Sequence, residues 1–414
     1  MHNVTMEGAS PGCQPARVAL AGLLALAVAM GVGRFAFTPL LPLMLADGVV
    51  TLAGGSWLAT ANYIGYLVGA LACMALPWLA RGWYGRWHPA RLARAGLAAT
   101  VLLTVAMALP LPATWPLLRF AAGVASAIVL LNISSWCMVR LTVLGRPALG
   151  ALIFCGPGVG IALTGFMTSA MVAAHWRAAA GWAAFALLAA LLCTLVLPVV
   201  RGRAAQAVNL QGGAAEGAPA APASATARTL HAIAYGFAGL GYIVTATFLP
   251  VIARGALPPG SPWPDLFWPT FGVAATLGAV LGTRARAAWD RRWLLAACYA
   301  MQAAGIALGL HWPTPAGFAL GSALLGLPFT VITFFGFQEA RRLWPAAVDS
   351  FAGLITATFG LGQIAGPPLA AALVAASGQA SGFARALAAA AAVLVTGAAM
   401  YAFSAWRWPQ GSVA

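Results

Sequence analysis

The sequence predicts an all-α polytopic membrane protein with twelve transmembrane helices in two six-helix halves. Three observations predict it. Of 414 residues, 62% are hydrophobic and only 7% are charged, where a soluble domain carries about 25% charged residues. Apolar runs long enough to cross a bilayer, about 20 residues, recur twelve times: about 18–45, 56–80, 95–111, 115–139, 147–173, 178–200, 229–253, 266–283, 293–310, 316–338, 350–376 and 383–405. The 22 basic residues, every one an arginine, alternate loop by loop. With a cytoplasmic N-terminus, seventeen of them lie inside, only Arg177 and Arg254 lie outside, and Arg34, Arg119 and Arg385 fall within or at the edge of spans. That is the positive-inside pattern. It predicts a multi-pass protein of the inner membrane with both termini cytoplasmic. It speaks against a nucleic-acid partner, whose phosphates call for clustered basic residues.

The first span opens with Arg17 and VALAGLLALAVAM, which has the outline of a signal peptide. The apolar run continues to Leu45, beyond the usual length, so the segment is read as an uncleaved first helix. Its centre is MGVGRFAFTPLLPLM, residues 30–44, with Arg34 in the middle. A guanidinium cannot lose its proton there, and an arginine at a bilayer centre costs about 2.5–3.5 kcal/mol on insertion scales. Asp47 is thirteen residues on, about 20 Å along a helix. The other acids, Glu7, Glu216, Asp265, Asp290, Glu339 and Asp349, map to termini, loops or span ends. Three readings of Arg34 stay open. It could anchor substrate in a central cavity, brace carbonyls freed by Pro39 and Pro42, or snorkel or gate.

The second span carries Asn62, Tyr63 and Tyr66; Asn62 and Tyr66 share a helical face. Buried amides and phenols need partners, so this face lines a cavity or an interhelical polar contact. The fourth span places Arg119 one turn inside its outer end, where it could snorkel outward or act in coupling. Asn132 and Trp136 share a face further along it, and Gln363 lies in the eleventh span.

Residues 201–228, rich in Ala, Gly and Pro, are read as a flexible cytoplasmic linker. It divides the chain into an N-terminal half, 1–200, and a C-terminal half, 229–414. The halves echo each other. GVGRFAFTPLLP from Gly31 and GLGYIVTATFLP from Gly239 match at four of twelve positions with an offset of 208, which sets Tyr242 opposite Arg34. Both helices start on the same side, so this is a parallel repeat. Tyr235 lies seven residues before Tyr242 on the same face.

Further patterns are local. LLRFAAGVASA sets Arg119 four before Gly123; FCGPGVG holds Gly156, Pro157 and Gly160; RGWYGRWHPARLAR follows the second span; and AWDRR holds Asp290, Arg291 and Arg292. Together with the twelve spans and the parallel repeat, these resemble the major facilitator superfamily. Its fourth-helix R-x-x-x-G, its fifth-helix GP-x-x-G associated with antiporters, and its basic loop are each similar. The loop after the second span lacks the aspartate of that pattern, and AWDRR is the nearer match. GVGRFAFTPLLPLM with ANYIGYLVGAL resembles the YbfB/YjiJ-type branch in particular. The resemblance implies the major facilitator fold and secondary transport by alternating access. It implies coupling or gating roles for Arg119, Gly156, Pro157, Gly160, Asp290 and Arg291. Substrate contact is expected from Arg34, Asn62, Tyr66, Tyr235, Tyr242, Asn132, Trp136 and Gln363.

The expected partner is a small organic solute, anionic in view of Arg34, exported by a monomer embedded in the lipid bilayer. Proton coupling would need a titratable group in the membrane; His231, Asp47 or a protonatable substrate are the candidates. No cofactor is expected. A nucleotide-binding G-x-x-x-x-G-K-[ST] loop is excluded, because the chain has no lysine. A lipid-modifying enzyme would need an acid–base or metal constellation. His2, His88, His175, His231 and His311 are scattered, and no histidine is placed to activate Ser322. A non-transporting sensor would need more than a short linker to signal through.

Overall fold

In a computed structural model, residues 14–79, 88–201, 224–286 and 288–409 are described. The twelve expected spans are all helical and apolar enough to cross a membrane. They are α1 (Pro15–Ala46), α2 (Leu52–Leu79), α3 (Pro89–Met107), α4 (Trp115–Val143), α5 (Pro147–Ala173) and α6 (Ala178–Val196). The second set is α7 (Ala225–Ala256), α8 (Pro264–Gly282), α9 (Arg291–His311), α10 (Pro315–Leu343), α11 (Val348–Ser377) and α12 (Gln379–Arg407). Most of the expected linker, and residues 81–87 of the basic loop, lie outside the described residues.

Local chemistry sets the helix ends. Pro15, Pro89, Pro264 and Pro315 occupy first-turn positions, where a missing N–H costs nothing. Pro89 explains why α3 begins six residues before the apolar run that announced it: its first two turns carry Arg91 and Arg94 and are not apolar. Ser224, Asp290 and Thr314 accept N–H bonds from the first turns of α7, α9 and α10. α10 is interrupted at Leu327–Pro328 between two helical pieces, Pro315–Gly326 and Phe329–Leu343.

Burial shows which helices are central. In α1 and α7, 83% and 78% of the most apolar window is buried, against 28–56% in the other ten. The central helices are therefore the repeat-related pair, and the others turn a face to lipid. The halves meet along three pairings: α5 with α8, α2 with α11, and α1 with α7. Thr38 Oγ1 donates to the Ala246 carbonyl at 2.7 Å. These two residues are equivalent under the 208-residue repeat, so α1 and α7 touch at the point where the internal two-fold would pass.

α1 itself is irregular. It is α-helical over Pro15–Leu26, π-helical over Ala27–Phe35, and α-helical again over Phe37–Ala46. Gly31 lies in the wide stretch, where α5 comes closest. An added Cβ at Gly160 would lie 2.5 Å from the Ala27 carbonyl oxygen and 2.7 Å from Gly31 Cα. Only glycine permits that approach.

Candidate functional site

The site grows out of the irregular turn in α1. Pro39 offers no N–H, either to the Arg34 carbonyl in π register or to the Phe35 carbonyl in α register. Arg119 on α4 reaches across instead. Its Nη1 donates to the Gly33 carbonyl at 3.3 Å and its Nη2 to the Arg34 carbonyl at 3.0 Å. Asn62 Nδ2 donates to the Arg119 carbonyl at 2.9 Å and lies 3.5 Å from the Gly33 carbonyl. Gly123 makes this possible, since a Cβ there would strike the Asn62 carbonyl oxygen. Arg119 is buried and its guanidinium lies 5.0 Å from the Phe37 ring. Of the two readings of Arg119, snorkelling to the outer interface is not what the structure shows: its guanidinium is buried on the backbone of α1, where membrane-core carbonyls need donors.

With the break held by Arg119, the Arg34 side chain is released for other contacts. It is 4% exposed. Its Nη2 donates to Gln363 Oε1 on α11 at 2.7 Å, and Gln363 Nε2 in turn donates to the Tyr242 hydroxyl on α7. The guanidinium lies 4.0 Å from the centre of the Tyr66 ring, and 5.2 and 5.3 Å from those of Phe35 and Tyr63. Its Nε has no hydrogen-bond partner. Among the described residues no carboxylate pairs with it: the four ion pairs involve Asp265, Asp290 and Glu339, near helix ends.

Phe329 leans on both Phe35 and Tyr242, at 5.8 and 5.3 Å between ring centres, and Phe359 stacks on Tyr242 at 5.9 Å. Tyr63 OH meets Thr247 Oγ1 at 3.0 Å. The result is an aromatic box with one cation, built from both halves.

The box is shut on both sides. Toward the arginine-rich end, Leu67 and Met74 of α2 fill the space over Gly360 and Gly353 of α11, 2.9 and 3.0 Å from where a Cβ would sit. Toward the opposite end, the Thr38–Ala246 bond and a bond from Ser169 Oγ to the Asp265 carbonyl, 2.8 Å, close the gap. Between these contacts Arg34, Tyr63 and Tyr242 are buried.

The structure brings together Arg34, Tyr66, Tyr242 and Gln363, and sets Asn62 behind them as a brace. Tyr63 and Thr247 belong to the same box. Tyr63 was visible beside Asn62; Thr247 carried no sequence signal. Tyr235 lies further along α7, packed against His231, Phe337 and Phe359. Asn132 is apart from the box: its amide donates to Ile128 of its own helix at 2.8 Å and faces Cys73. Trp136 is buried in the core.

The fifth-helix motif packs against α1 within its own half, and Gly158 between its glycines meets the other half. Gly156 and Gly160 face α1, whereas Gly158 faces α8, where a Cβ would come 2.5 Å from Thr276 Oγ1. Pro157 sits in the first turn of the regular part of α5.

In the AWDRR segment the arginine that Asp290 holds is Arg292, not its neighbour Arg291. Arg292 is 1% exposed, bonds Asp290 at 2.6 Å, lies 4.0 Å from buried Glu339, and donates to the Ser404 carbonyl. Arg291 turns outward to the Arg286 carbonyl. Helical geometry decides this, since consecutive residues point about 100° apart. Burial pushes the Asp290 carboxyl up, but its bonds to Arg292 and the charges of Arg292 and Arg342 outweigh that and hold it below the usual range.

Of the coupling candidates, Asp47 accepts the Ala178 N–H at 2.7 Å and so caps α6. His231 is buried with both ring nitrogens engaged, Nε2 with the Gly336 carbonyl and Nδ1 with the Tyr401 hydroxyl, each at 3.1 Å. A carbonyl can only accept, so Nε2 carries a proton, and in the neutral ring Nδ1 accepts from Tyr401. The neutral ring is fully satisfied.

A family model described as "Uncharacterised MFS-type transporter YbfB" matches residues 26–402. No curated protein matches the chain. Among solved structures, a mutant of the nucleoside transporter NupG superposes with a TM-score of 0.70 at 15% identity, covering 94% of this chain and 99% of that one. A D-xylose-proton symporter superposes at 0.68 and 14% identity, covering 93% and 95%. At such identities the likeness is one of fold.

Proposed function

From the premise that the chain belongs to the family of uncharacterised MFS-type transporters named for YbfB, we propose that it carries a small organic anion across the inner membrane by alternating access, with Arg34 as the anchor. Residues 1–200 and 229–414 form the two moving halves, 201–228 link them, and both termini are cytoplasmic, in line with the arginine distribution. The observation that carries the reading is Arg34: a buried guanidinium at mid-depth, held across the halves by the neutral amide of Gln363 and matched by no carboxylate at that depth among the described residues. An intramembrane charge without a protein counter-ion marks a substrate path.

Alternating access would swap the sealing contacts. Opening one side parts Leu67 from Gly360 and Met74 from Gly353; opening the other parts Thr38 from Ala246. Export is supported by the Gly156–Pro157–Gly160 motif and by electrostatics, since an inside-negative potential drives an anion outward. Proton coupling has weak support: His231 is satisfied as the neutral ring, so coupling would fall to a protonatable substrate.

The test is flux in liposomes of the purified full chain, preloaded with a mixture of small carboxylates. Exit of at least one carboxylate in wild type, and its loss in Arg34→Gln, is the expected result. Carboxylate exit that persists in Arg34→Gln would remove Arg34 from the path.

A further inference from the structure

The geometry points to a planar aromatic monocarboxylate as the ligand class of the Arg34 box, an inference that rests on the transport reading above. Three features define the class: charge, exchangeable partner and wall chemistry.

The charge is a single cation. Two guanidiniums lie close together, but both terminal nitrogens of Arg119 are committed to the Gly33 and Arg34 carbonyls. Arg119 keeps a single unpartnered Nε, whereas Arg34 alone can offer two neighbouring N–H groups to one carboxylate, so one anionic group is matched.

The partner is exchangeable. Nη2 of Arg34 is held by a neutral amide and its buried Nε by nothing. A carboxylate binds a guanidinium through two parallel charge-assisted bonds, shorter and about twice as strong as those to a neutral acceptor. It would therefore displace the Gln363 oxygen and satisfy the orphaned Nε. Gln363 keeps its bond to Tyr242 and so has a place to go.

The walls are flat rings whose hydroxyls are already paired, Tyr63 with Thr247 and Tyr242 with Gln363. Tyr66 lies face-on to the guanidinium at 4.0 Å, and Phe35, Phe329 and Tyr242 complete the box through ring contacts of 5.3–5.8 Å. A polyhydroxylated solute would leave its hydroxyls unpaired against such walls. A flat ring would gain offset-stacked or edge contacts, with its carboxylate reaching Arg34.

The experiment is a thermal-shift titration of the purified full chain with benzoate, cyclohexanecarboxylate, acetate and benzylamine, followed by liposome flux of the same solutes. Ligand that binds only the folded state raises the melting temperature. Benzoate is expected to raise it most, cyclohexanecarboxylate less, acetate and benzylamine not at all, and Arg34→Gln should abolish the effect. Gln363→Ala guards against a variant that merely fails to fold. It removes the competing acceptor, so benzoate should bind about tenfold tighter, near the worth of one hydrogen bond to a charged group.

Acetate matching benzoate, benzoate stabilisation surviving Arg34→Gln, or weaker benzoate binding in Gln363→Ala would each overturn the ligand class. The two readings fail separately. Flux of acetate without benzoate binding removes the class and leaves transport; benzoate bound in the Arg34-dependent way but never carried removes transport and leaves the site.

Discussion

Arg119 holds the backbone of Arg34: a guanidinium on α4 donates to the carbonyl of the residue whose own guanidinium faces the other half of the molecule, at 3.0 Å. The two arginines divide the labour that the sequence offered to one. Arg119 braces the break in α1, and Arg34 is left to bind across the halves through Gln363.

This division predicts opposite costs for the two charges. Arg119→Gln takes a donor from the Arg34 carbonyl and leaves the Gly33 carbonyl only the long Asn62 contact, at about 1–3 kcal/mol for each unsatisfied group. Arg34→Gln removes a buried charge whose partners, the Gln363 amide and the rings of Tyr66, Phe35 and Tyr63, are all neutral, and should cost less. Thermal unfolding in detergent checks it. A larger drop in melting temperature for Arg34→Gln would reverse the roles.

The α1–α5 crossing has no room for a side chain. Gly160→Val drives its Cβ into the Ala27 carbonyl and Gly31, and overpacking of this kind costs about 1–3 kcal/mol. The variant should melt earlier and lose transport, because the clash falls on the turn that carries Arg34. A variant with wild-type flux would show that α5 does not approach this closely in the working protein.

Tyr63→Phe and Thr38→Val each delete one hydroxyl bond between the halves. At a net 0.5–1.5 kcal/mol for a hydrogen bond, roughly, each should lower the closed-to-open ratio by about 2–10-fold. Spin labels at the α1 and α7 ends nearest Asp47 and Gly255 would report it as a gain in the longer-distance population. Unchanged distributions would mean that these bonds do not hold the closed form.

At the arginine-rich end, Arg292→Gln should destabilise far more than Arg291→Gln. Arg292 is 1% exposed and holds Asp290 and the Ser404 carbonyl, whereas Glu339 keeps its closer partner Arg342; leaving those acceptors short of their donor costs about 1–3 kcal/mol for each. The pH dependence follows from Asp290, whose carboxyl is held below the usual range. A depressed carboxyl contributes stability that is complete above its unfolded pKa, about 3.9, and is lost as pH falls through the lower folded value. Melting temperature should therefore owe no change between pH 5 and 8 to Asp290. Its contribution should fade below about pH 4 in wild type and be absent in Asp290→Asn.

If Arg34 is the sole charge that binds an anion, each cycle moves one net charge. An inside-negative potential of 100 mV is worth about 2.3 kcal/mol per charge, which supports an outward gradient of roughly fiftyfold. Liposomes with an imposed potassium diffusion potential would show benzoate distribution following its sign. Distribution set by a pH gradient and indifferent to potential would point to a protonated substrate.

The spans, their number, the repeat and the mid-span arginine of α1 were legible in the sequence, because each is local. Twenty apolar residues form a span wherever they stand, and the 208-residue offset can be read by sliding the chain on itself. Helix starts were misjudged where prolines and arginines form the first turn, as at Pro89, since hydropathy measures only the apolar part.

The partners were another matter. Arg34 meets Gln363 across 329 residues, and Arg119 meets Arg34 across 85. Nothing in the spacing of Asn132 distinguished its bond to Ile128 from a place in the box, nor did AWDRR show which arginine turns inward. Sequence alone fixed the solvent each segment requires, because transfer to lipid depends on residue type. Only the tertiary structure decided which buried polar group answers which, because in a membrane core every donor and acceptor must find its partner on whichever helix packing brings within 3 Å or so.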